Sequence, residues 1–145
     1  MLVDIVNPGW APVYLVNLTE DVQGYIAAAA TALSQPLEAL HRRPPRRLGT
    51  RDDVTLHRQY MADIDASVRN ALTAVDPTPF FVKYGENPWA GVKGYLDACT
   101  DAAAARVIEK YTGVLAAADV FTASTAFWVM ESIRLDLGFA SQVHP

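Results

Sequence analysis

Cysteine is almost missing from this 145-residue chain: Cys99 stands alone, so no internal disulfide can form and stability must come from packing. A lone thiol predicts a reducing, cytoplasmic setting. Long apolar runs are missing too, since no stretch approaches the roughly 20 residues that span a bilayer, and the N-terminus has neither the basic start nor the apolar core of a signal peptide. No membrane partner is expected. Charge is sparse at 19%, and a net charge of −4 with a pI near 5.2 argues against a protein whose overall field attracts nucleic acid. Histidine is limited to His41, His57 and His144, which leaves few imidazoles for a metal or for acid–base work.

What the chain has is apolar content, 51% of residues, enough for one globular core at this length. The prolines gather at 8–12, 36–45 and 77–88, dividing the chain into four segments. Met1–Val6 is aliphatic and β-branched and stops at Asn7-Pro8-Gly9, so it reads as a buried strand that must pair with Val13–Val16, a missing partner or a second copy. A helix capped by Asn17 or Thr19 should reach Ser34, burying Val22, Tyr25, Ile26, Ala29, Ala30 and Leu33. Thr50 and Asp53 form a capping-box pattern opening a helix to Val75, with Val54, Met61, Ile64, Val68, Leu72 and Val75 in one stripe. After an aromatic knot of Phe80, Phe81, Val82 and Tyr84, Asn87-Pro88 opens a helix to Tyr111 with Trp89, Val92, Leu96, Cys99, Ala103 and Val107 as its stripe, ended by Gly113. The last helix, Asp119 to about Leu137, carries Val120, Ala123, Phe127, Met130 and Leu137. Its run Ala126–Met130 is apolar all round.

Several blocks bear on function. Leu2-Val3-Asp4-Ile5-Val6 with Pro8-Gly9-Trp10-Ala11-Pro12, then Arg47-Leu48-Gly49-Thr50-Arg51-Asp52-Asp53-Val54, Glu86-Asn87-Pro88-Trp89, Asp119-Val120-Phe121-Thr122-Ala123-Ser124 and Met130-Glu131-Ser132-Ile133-Arg134 occur in that order. Together they resemble the C-terminal part of a bacterial branch of the metallo-β-lactamase-fold hydrolases. The resemblance implies an α+β, predominantly helical chain. Residues 1–49 would be a remnant of the family's αββα sandwich, with one or two short strands, and 50–145 a C-terminal extension of three long helices.

The resemblance also implies zinc in the intact family, with a metal-bound hydroxide as nucleophile. It places Asp4 at the bridging-carboxylate position. The family's H-x-H-x-D-H motif is absent from the chain. The final ligand His should precede Leu48-Gly49-Thr50, where Arg-Arg-Pro-Pro stands; codons such as CGG-CGG-CCA-CCT read in a shifted frame give Gly-Gly-His-Leu, which suggests a local frame change. His41 is the nearest surviving imidazole and the second metal candidate, but the family spacing puts Pro44 at the ligand position. One carboxylate does not hold zinc, since catalytic sites generally need three protein ligands. The chain is therefore expected to be inactive alone and to bind no zinc by itself.

Two other readings stay open. One is a non-catalytic helical interaction or oligomerisation module, with a second copy or the missing N-terminal half as partner. The other is an anion or nucleic-acid binder through Arg42, Arg43, Arg46, Arg47 and Arg51; the acidic balance and the lack of an interleaved aromatic make a solvated loop the better account. His57 reads as a packed or boundary residue and Cys99 as a core thiol, while Ser124 and Ser132 lack the glycine-flanked turn of a hydrolase nucleophile.

Overall fold

The computed structural model describes residues 5–35 and 49–140, with residues 135–140 in backbone only. The described chain is predominantly helical: α1 (Tyr14–Leu18), α2 (Val22–Ser34), α3 (Arg51–Ala74), α4 (Thr78–Tyr84), α5 (Pro88–Tyr111) and α6 (Ala118–Ala140). No described helix is long and apolar enough to cross a membrane.

Three long helices, α3, α5 and α6, pack on one another, with α2 against α3 and α6. Each long helix has a sequence reason to start. Thr50 Oγ1 accepts from the Asp53 amide while the Asp53 carboxylate accepts from the Thr50 amide, so the expected capping box is complete. Asn87 caps α5 through the Ala90 amide, with Pro88 in the first turn. Gly113 follows α5 at φ 83°, a left-handed position that favours glycine.

The core joins Tyr60, Met61, Ile64 and Val68 of α3, Cys99, Ala103 and Val107 of α5, and Ala126, Val129, Met130 and Ile133 of α6. Ala11, Val16, Val22 and Tyr25 belong to the same cluster, so side chains on both sides of position 49/50 share one interior. On the outside of α5, the Phe81 ring lies over Gly91 and the Phe80 and Tyr84 rings over Gly94. A Cβ at Gly91 would come within 2.9 Å of the Phe81 ring. The two glycines are what let α4 lie this close.

The structure corrects several expectations. Val13–Val16 is not a strand: four successive non-glycine residues, Leu15 to Leu18, have φ between 49° and 59°, one turn of left-handed helix. The Asn17 side chain stabilises that turn by accepting from the Val13 amide at 3.0 Å. Ile5 and Val6 are in no strand, and a bridge joins Trp10 to Ala116 in parallel, through Ala11 N to Ala116 O at 3.1 Å and Ala116 N to Gly9 O at 2.9 Å. Met1–Asp4 lie outside the described residues.

Asp21, not Asn17 or Thr19, caps α2, accepting from the Gly24 amide at 2.7 Å. Ala32 is buried where Ala30 was expected. Trp89 is 82% exposed rather than in the α5 stripe, because it is Gly91, two positions on, that faces the covering Phe81 ring at this end of the helix. On α6, Val120 and Phe127 face outward and Thr122, Thr125, Ala126, Val129 and Met130 face inward. The buried face is turned because Thr122 can enter the core by pairing its hydroxyl with that of Tyr60, 2.8 Å away.

Candidate functional site

Asp4 and His41, the two metal positions considered from sequence, lie outside the described residues, as do Arg42, Arg43, Arg46 and Arg47. Among the described residues no group of three or more His, Cys, Asp or Glu side chains is arranged to hold a metal ion.

The remaining chemistry-bearing side chains are mostly engaged in structure. Cys99 is buried, its thiol 3.7 Å from the Ala71 carbonyl, and burial pushes its pKa up, which keeps it protonated. Ser124 donates to the Phe121 carbonyl and receives the Leu15 amide at 3.4 Å. Ser132 donates to the Val129 carbonyl and receives the Gln23 side-chain amide at 3.0 Å. Neither serine has a base beside it among these partners.

A polar chain leads inward from the N-terminal segment. Asn17 Oδ1 accepts from Asn7 Nδ2 at 3.2 Å as well as from the Val13 amide, and Asn17 Nδ2 donates to the Tyr25 hydroxyl at 2.9 Å. The Tyr25 ring meets His57 edge-on, centroids 5.5 Å apart. His57 is 3% exposed, its Nε2 has no hydrogen-bond partner among the described residues, and burial lowers its pKa to about 4. The imidazole is therefore neutral at pH 7. Asn17 was considered from sequence only as a helix cap; its role as a hub depends on the left-handed turn, which the sequence does not announce.

Among the described residues, two of the surface clefts gather polar side chains. One, of about 260 Å³ between α3 and α5, is lined by Asp63, Ser67, Asn70, Arg106, Val107 and Lys110. Its acid is engaged: Asp63 Oδ2 receives Lys110 Nζ and the Tyr111 hydroxyl, each at 2.6 Å. Partial burial works to raise the Asp63 pKa, but the two donors outweigh it and the carboxyl lies below its ordinary range. The other cleft, of about 240 Å³, lies between the start of α2 and α6 and is lined by Glu20, Val22, Phe127, Trp128, Glu131 and Ser132. Trp128 Nε1 donates to the Thr19 carbonyl at 2.8 Å, fixing the indole against the loop before α2. From sequence Trp128 figured only within the apolar run Ala126–Met130. Two acids and two aromatics meeting from positions about a hundred residues apart leave no local signal.

No family model, curated protein or solved structure matches this chain.

Proposed function

We propose that the chain is the C-terminal part of a metallo-β-lactamase-fold hydrolase, without hydrolytic activity of its own. The observation that carries this reading is the set of five blocks in family order, with Asp4 at the bridging-carboxylate position and no H-x-H-x-D-H. Zinc is the cofactor the resemblance implies, but Asp4 alone does not hold it, so no hydrolytic step is assigned to this chain. The lone thiol supports a cytoplasmic location.

The second reading, a helical interaction module that associates with a second copy or with the missing N-terminal half, has its own observation. Val13, Tyr14 and Leu18 in and beside α1 are exposed, and so are Val114 and Val120 around the turn into α6. The Ala11–Ala116 hydrogen bond ties these two segments together. Apolar side chains gathered in this way favour cover by another polypeptide.

Metal analysis after dialysis against excess zinc tests whether a metal site survives in the chain. Substoichiometric zinc, unchanged by Asp4→Ala, is expected; near-stoichiometric zinc that is lost in Asp4→Ala would show a surviving site. The coding DNA is the second check, and the hydrolase origin fails if no shifted frame of codons 40–47 encodes the missing His. Sedimentation of the metal-free chain tests the module: a cooperative, self-associating fold supports it, and a dilution-independent monomer removes the second copy as partner.

A further inference from the structure

We propose that the cleft between the start of α2 and α6 binds an alkylated organic cation, a quaternary ammonium carrying a short apolar chain. The inference is independent of the hydrolase origin, because every residue involved lies in the described helices and their adjoining loop.

The free valences of the lining decide the ligand. Trp128 spends its only donor on the Thr19 carbonyl, so it offers the ligand a ring and no N–H. The Ser132 hydroxyl both donates, to Val129, and accepts, from Gln23. Glu131 gives Oε1 to Arg134 Nη1 at 2.6 Å, an ion pair that cancels one negative charge and leaves Oε2. Glu20 is exposed and in no ion pair among the described residues. The lining side chains therefore present free acceptors without a free donor and a net charge of about one negative, beside the apolar side chains of Val22, Phe127 and Trp128.

An anion is repelled by that arrangement, and a neutral apolar molecule gains nothing from the Glu20 carboxylate. A bare divalent cation needs six or more oxygen ligands, which walls of valine and aromatic carbon do not supply. A cation with an apolar shell satisfies both surfaces, its charge attracted by the carboxylate and its alkyl groups packed on the aromatic and valine side chains, where a ring turned face-on adds cation–π attraction. A cleft of about 240 Å³ has room for such a group; at about 30 Å³ for each water-sized unit, that is roughly eight units. Butyltrimethylammonium is of that size.

The test is a titration of the purified chain with butyltrimethylammonium, 1-pentanol and pentanoate, followed by NMR at the Trp128 indole N–H. The cation should give a saturable shift that weakens with added salt. Phe127→Leu keeps apolar volume but removes a ring, and should weaken binding about two- to fivefold; Glu20→Gln should weaken it and flatten the salt dependence. Both positions are exposed, so melting temperatures should stay close to that of the unaltered chain. The proposal is overturned if pentanol or pentanoate binds as well as the cation, if the cation gives no saturable shift, or if its binding ignores salt and both substitutions.

Discussion

His57 is a residue whose protonation the fold resists. Its pKa falls from 6.5 to about 4 because burial removes water from the charged form. Between those values the unfolded chain binds a proton that the folded chain refuses, so stability is full above pH 6.5 and is lost as pH falls toward 4. At about 1.4 kcal/mol per pH unit the loss by pH 4 is about 3 kcal/mol. Urea titrations between pH 7 and 4 should show this slope, and His57→Leu should remove most of it. Asn17 supports the fold in another way, through its hydrogen bonds. Asn17→Ala would leave the Val13 amide, Asn7 and Tyr25 without their shared partner, at an expected cost of about 1–3 kcal/mol in thermal or urea unfolding.

Among the elements, α1 is the one built against its own residue preferences. A left-handed turn costs a non-glycine residue about 1–2 kcal/mol, and Leu18, 69% exposed at φ 59°, receives little burial in return. Leu18→Asn, a residue that enters this region readily, should raise stability by up to about 1 kcal/mol, read as a higher urea midpoint at unchanged slope. The opposite change is expected at α3, where Thr50→Ala opens the capping box and should cost about 1 kcal/mol.

These two elements also mark what was legible in the sequence. The capping box, the Asn87-Pro88 start and the stripe of α3 depend on residues three or four apart, and all were readable locally. The left-handed turn was not, because it depends on Asn7, Tyr25 and Ser124, and β-branched Val13 and Val16 favour extended backbone when taken alone. The turned face of α6 escaped for a related reason. Hydrophobicity ranks Phe127 above Thr122, and the Tyr60 hydroxyl that partners the buried threonine lies across the core, 62 positions away. The aromatic-acid cleft needs side chains from Glu20 to Ser132 and has no signature in any one window.

At the scale of the molecule, the N-terminal segment, α1 and α2 serve as a cover laid on a helical bundle whose own contacts run mainly between neighbours in sequence. Helix α3 meets α5 through Ser67 to Ala103 and Tyr95 to Leu72, and α5 meets α6 through Thr100 to Met130. The Ala11–Ala116 link reaches back across most of the chain. Its ends meet only after a very large loop has closed, and such closures are entropically costly and come after local contacts have formed. The bundle is therefore expected to form first and the cover to dock last. In native-state hydrogen exchange, the amides of Ala11 and Ala116 should open together at lower free energy than those of Ile64 and Ala103. The cover then acts as a slow latch on a faster body, so a substitution in α1 such as Asn17→Ala should speed unfolding while leaving the folding rate nearly unchanged.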